Sequence, residues 1–196
     1  MINLIKIITL FLFPLIIGIS MPELDKNELL FDDDFNPEHL DGPFTGGFGE
    51  LTCHSCHFDY DINMDGGSLT VKGLPDYFEA GELYKLTVTV ESSHLENGGF
   101  QMTSRFEDGT QAGSFTWEDN HLMYTPNISD EVKYLQHTRE STAPTGDRKV
   151  SWNFTWSAPE TVTSSIIFNI AANAGNNDDS SFGDWIYTKE LIISAH

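Results

Sequence analysis

Cysteine is scarce in this chain of 196 residues: there are two, Cys53 and Cys56. A framework of disulfides is therefore excluded, and a bridge between these two would close a loop too short to staple structure, so they are present for chemistry. Basic residues are also few, ten Lys and Arg against 30 Asp and Glu, a formal net charge of −20. Such a surface repels nucleic acid and anionic lipid, and it favours cationic partners or divalent cations. No HExxH, no glycine-rich phosphate loop and no ordered serine–histidine–acid set occurs, so no enzyme class is indicated. Long amphipathic helical periods are missing too, which removes the helical and α/β fold classes.

Only one apolar run is extended. Ile7 to Ile17 follows the single charge Lys6, is interrupted by Pro14, and ends at Gly18-Ile19-Ser20. The run is short for a transmembrane helix, and Gly18 and Ser20 supply the small residues of a signal-peptidase site. Residues 1–20 are thus read as a signal peptide and the protein as exported: periplasmic, extracellular or on the cell surface, with no stable membrane insertion once the leader is cleaved. An uncleaved N-terminal anchor is the alternative. Residues 21–42, acidic, with two prolines and no period, read as a poorly ordered arm. The domain is expected over 43–196.

Within that domain the apolar pattern has period two. Ser68–Val71, Leu83–Val90, Phe100–Phe106, Ala112–Trp117, Val150–Trp156, Ser165–Ala172 and Ile186–Ile193 make about seven strands separated by turn signals such as Gly73-Leu74-Pro75 and Gly109-Thr110. The expected fold is all-β: an antiparallel, immunoglobulin-like sandwich. Trp152, Phe154 and Trp156 share one strand face and read as core.

The chemistry lies in Cys53-His54-Ser55-Cys56-His57, on a loop after the glycine-rich stretch Pro43–Gly49. Cys-x-x-Cys-His is the attachment signature of a c-type haem, in which two thiols add across the vinyl groups and the next imidazole becomes an axial ligand of the iron. Structural zinc would need four ligands, and no second cysteine pair exists. A thioredoxin-type dithiol should open a helix in a βαβ unit, which this pattern lacks. One covalent haem c is the expected cofactor, held by Cys53, Cys56 and His57.

The chain also resembles a known family. Thr52–His57, Gly73-Leu74-Pro75, Tyr84–Val90, Gly99–Thr103, Ala112–Phe115, Tyr134–Thr138, Ser151–Pro159, Ala172–Asn176 and Gly183–Thr188 together look like the bacterial reeler-like "choice-of-anchor V" domains, over about Gly46 to Ser194. The resemblance implies an exported β-sandwich with CxxCH near its start, and no single reaction.

For the second axial position the chain offers several side chains. His54 lies inside the motif and cannot reach the opposite haem face. His94 and His121 sit at turn-like sequences, His39 in the arm, His196 at the end. Met102 shares a strand face with Phe100 and Phe106 and reads as core. His137, in the Tyr134–Thr138 block, is the expected second ligand. The expectation is then a monohaem electron-transfer protein docking a basic-patched redox partner, with peroxidase-like activity only if the distal position is open. The alternative is a surface binding or adhesion module with a structural or sensory haem. Asn176-Asn177-Asp178-Asp179 with Asp184 offers carboxylates for a calcium ion, without EF-hand spacing.

Overall fold

The structure, a computed structural model, describes residues 42–126, 128 and 131–195. The leader expected at 1–20 and all but the last residue of the arm expected at 21–42 lie outside the described residues.

Ten strands form two sheets. The first holds, in spatial order, β1 (Gly67–Lys72), β3 (Leu83–Ser92), β8 (Lys149–Ser157) and β5 (Ser114–Thr116). The second holds β2 (Tyr77–Phe78), β10 (Trp185–Ala195), β9 (Ile166–Gly175), β4 (Asn97–Phe106), β7 (Leu135–His137) and β6 (Leu122–Tyr124). Every pairing is antiparallel except β2 with β10, where Ser194 lies opposite Tyr77 in a parallel register. The expected sandwich is therefore present, with three short strands, β2, β6 and β7, beyond those the periodicity marks. Each of the three has two or three residues, too few to display an alternation.

Alternation does set the core where strands are long. On β8 the even positions Val150, Trp152, Phe154 and Trp156 are buried while Asn153 between them is exposed. They meet β4 and β9 across the sandwich: Phe100 lies 4.6 Å from Trp152, and Trp156 lies 5.0 Å from Phe168, centroid to centroid. Met102 is fully buried among them, the core role expected of it. β4 starts earlier than the expected Phe100 and takes in Gly98 and Gly99. A Cβ on Gly98 would stand 2.9 Å from Val150 Cγ2, so the close approach of the two sheets demands glycine there.

β4 breaks the alternation: all its residues from Gly98 to Phe106 are buried, on both faces. The reason is a strap, residues 42–65, laid over the outer face of the second sheet. Phe44 N–H donates to Gln101 Oε1 (2.6 Å), and Gln101 Nε2 donates to the Gly42 carbonyl (3.0 Å). Arg105, also facing outward from β4, is paired with Glu50 at 2.6 Å. At the far end, Asn63 exchanges hydrogen bonds with Thr188 and with the Ile186 carbonyl of β10. Polar side chains on a covered face must find partners, and the strap supplies them.

Candidate functional site

The cysteine motif sits in the middle of this strap. Thr52 caps a single 3-10 turn, Cys53–Ser55, its hydroxyl accepting from the His54 N–H. Cys56 N–H and His57 N–H both donate to the Cys53 carbonyl, at 3.2 and 3.1 Å. One turn of helix therefore gathers two thiols and an imidazole on one short segment. Both cysteines are free thiols; Cys53 is half-buried and Cys56 exposed. Desolvation pushes the Cys53 thiol up to about 12. A dithiol built for exchange has the opposite property, a first thiol made acidic by its surroundings.

His57 turns its ring toward the sheet. Its Nδ1 lies 2.6 Å from Asp184 Oδ2, on the turn that leads into β10. Asp184 is buried, 4 % exposed, and each oxygen is occupied: Oδ2 also accepts from Asn173 Nδ2 of β9 at 3.1 Å, and Oδ1 accepts from the Asn176 N–H at 3.0 Å. The Asn173 amide stands 3.4 Å from the same His57 nitrogen, but its shorter contact is to the carboxylate. With the carboxylate as acceptor, Nδ1 carries a proton, and in the neutral ring Nε2 then keeps its lone pair. That is the state of an imidazole that binds a metal, with the carboxylate behind it.

The surface around the motif is apolar in an otherwise acidic protein. Of eleven large hydrophobic side chains that are exposed among the described residues, six lie between Phe48 and Met64, and a seventh, Phe182, packs edge-on against Phe58 at 5.5 Å. Residues 58–65 alternate apolar and polar: Phe58, Tyr60, Ile62 and Met64 between Asp59, Asp61, Asn63 and Asp65. All eight are exposed. Beside them opens a cleft of about 520 Å³ lined by Tyr60, His94, Glu96, Arg148, Asn176 and Trp185. His94 stacks on Trp185 at 4.6 Å, and Tyr60 meets the same indole edge-on at 5.7 Å.

These residues fit a c-type haem. The donor set is two free thiols and one imidazole with an open Nε2, and haem itself brings the four equatorial nitrogens that a lone zinc ion would lack. Among the described residues no three His, Cys, Asp or Glu side chains converge as a metal-ion site of their own. The exposed apolar collar is what a flat hydrophobic cofactor would cover.

The remaining expectations fall as follows. His137 ends β7, two strands from Asn173 in the order β9, β4, β7, a separation of about 10 Å. Its Nδ1 lies 3.1 Å from both the N–H and the carbonyl oxygen of Phe100, and its ring covers Gly99, where a Cβ would come within 2.6 Å of it. The structure thus gathers Cys53, Cys56 and His57 but leaves His137 on the β4 backbone. His54 turns away, its Nε2 3.0 Å from the Tyr60 carbonyl, and His121 pairs with Asp119 on the surface. His39 and His196 lie outside the described residues. The 176–179 loop is closed on itself, with Asn176 bonded to Asp178 and Phe182 and Asp178 accepting from the Ser180 N–H. Asp184 serves His57. Sequence reasoning placed Asp184 only with a calcium ion and missed it, with Asn173, as a neighbour of His57; their register opposite the motif, 127 and 116 residues away, left no local signal.

Among solved structures, the chain is similar to the reeler domain of human F-spondin at 18 % identity and a TM-score of 0.46, covering 68 % of this chain and 93 % of that one. A second structure, the Reelin-N domain of F-spondin, aligns at 20 % identity and a TM-score of 0.47, covering 68 % and 90 %. A cohesin module from a Clostridium perfringens family 33 glycoside hydrolase aligns at 12 % identity and a TM-score of 0.40, covering 68 % of this chain and all of that one, 100 %. No family model matches the chain. No curated protein matches it either. Among the described residues no helix is long and apolar enough to cross a membrane.

Proposed function

We propose that this is an exported, monohaem c-type cytochrome-like protein that passes single electrons. Cys53 and Cys56 hold the haem through thioethers and His57 ligates its iron through Nε2. The observation that carries the reading is the His57–Asp184 pair: within an attachment motif, a buried carboxylate accepts the hydrogen bond of one imidazole nitrogen, keeps the proton on that side of the ring and leaves the other nitrogen for iron. A bound haem would supply a one-electron couple; Cys53, Cys56 and His57 would hold it at the surface, beside the exposed side chains Phe58, Tyr60, Ile62, Met64 and Phe182. The collar is bordered by Asp59, Asp61 and Asp65, and with a net charge of −20 it favours an encounter with a partner whose own contact surface is ringed by lysine and arginine.

His137 is proposed as the second axial ligand on sequence grounds, and its placement sets the condition: to ligate, its ring must leave the Phe100 backbone. The cleft beside the motif favours a second reading, a binding module whose ligand stacks on Trp185 and Tyr60 next to a structural or sensory haem.

Expression with a c-type maturation system tests the proposal. The expected product is red and keeps its haem through acid–acetone extraction, and the Cys53→Ala/Cys56→Ala double variant is colourless. A colourless wild-type protein with stoichiometric zinc defeats it. With haem attached, His137→Ala turns the ferric iron high-spin if His137 is the ligand. An unchanged spectrum removes His137, and carbon monoxide binding then reads whether the sixth position is open.

A further inference from the structure

We infer that Asp184 is a positioning residue that charges the His57 imidazole and holds the iron of this site at low reduction potential. The inference rests on the haem reading above and deepens it. Three facts support it. Asp184 is buried, and the contact to His57 Nδ1 is short, 2.6 Å, the length of a charge-assisted bond. The other donors to Asp184, the Asn173 amide and the Asn176 N–H, are neutral groups that hold it in place without neutralising it. Among the described residues Asp184 takes part in no ion pair with a lysine or arginine. Its charge therefore meets the imidazole through one hydrogen bond whose carboxylate side is buried, while the His57 side chain is 30 % exposed.

A carboxylate at Nδ1 draws the proton toward itself and makes Nε2 a stronger electron donor. A stronger donor stabilises ferric over ferrous iron, and potential falls. The pair also restrains the ring: His57 cannot rotate without breaking its hydrogen bond to Asp184, which Asn173 and the Asn176 N–H hold in place. The chemistry implied is that of a centre that gives up its electron readily, or, if the distal side is open, one that pushes electron density toward a bound oxidant.

Two measurements test this at different levels. In the haem-free protein, ¹⁵N chemical shifts of the histidine rings at neutral pH should show His57 protonated at Nδ1 and bare at Nε2. A His57 carrying its proton on Nε2 overturns the inference with no cofactor involved. In the haem-loaded protein, Asp184→Asn keeps the shape and removes the charge. The ferric/ferrous equilibrium should shift toward ferrous at least tenfold, about 59 mV upward for a one-electron couple. Asp184→Glu should recover part of the low potential, and Asp178→Asn, which removes one charge from the same loop without touching His57, should leave it within a few millivolts of wild type. Equal potentials for wild type and Asp184→Asn, or an equal shift from Asp178→Asn, overturn the inference. If wild type takes up no covalent haem, the haem reading fails instead, and the extraction shows that before any potential is measured.

Discussion

Glu50 holds the strap down, and removing its charge should loosen the site while leaving the sheets intact. Its Oε1 accepts from Arg105 Nη1 and from the Tyr134 hydroxyl, and its Oε2 accepts from the Thr45 hydroxyl. Arg105 is 3 % exposed and among the described residues pairs with no other carboxylate; its Nε and Nη2 find no hydrogen-bond partner there, and Phe48 lies over it at 4.2 Å. Glu50→Gln preserves size and can still accept, but it strands a buried cation. Breaking a buried pair from one side costs about 3–5 kcal/mol, a large part of a typical 5–15 kcal/mol total. For a domain of this size the midpoint of thermal unfolding should fall by roughly 10 °C. Urea unfolding measures the loss, and hydrogen exchange locates it: the Cys56 and His57 amides should exchange faster, those of β8 hardly at all below the global limit. Adding Arg105→Met should restore most of the loss, because the stranded charge is then gone. A loss below 1 kcal/mol for Glu50→Gln, or a double variant as unstable as the sum of its parts, refutes the reasoning.

In haem-free protein, iodoacetamide at pH 8 should label exposed Cys56 first. With Cys53 pushed from 9.0 to about 12, its thiolate fraction falls roughly a thousandfold, so peptide mapping that finds Cys53 reacting first contradicts the burial described. Gly99→Ala should drive the His137 ring off β4 and cost about 1–3 kcal/mol, read by urea unfolding. A neutral result would show that His137 has room to move, the very freedom that ligation of iron requires of it.

The sandwich was legible because long strands carry their burial on alternate residues, as Val150 to Trp156 do. β4 was legible on its inner face only. Gln101 and Arg105 look like solvent-facing polar residues, and nothing local announces that a strap covers them. β6 and β7 are defined by pairing with β4, not by pattern. The motif was readable as chemistry because CxxCH is contiguous, whereas its support is assembled across the sheet: Asp184 appeared as one more acid in an acidic loop, and Asn173 as a polar residue on an apolar strand. His137 was chosen by elimination, and elimination along a chain cannot measure a distance.

Among the described residues, none that fills the hydrophobic core comes from before Leu69. The strap with its two thiols therefore adds a reactive layer to a scaffold whose interior is complete without it. In a compact cytochrome the porphyrin is the nucleus around which the chain condenses; here the order of assembly is released from that constraint. The motif also precedes every strand among the described residues, so if the protein is exported it would emerge, and be open to a ligating enzyme, before the first of those strand pairs exists. If the proposed haem is attached, maturation and folding become separate events, and a haemless molecule would persist folded and colourless.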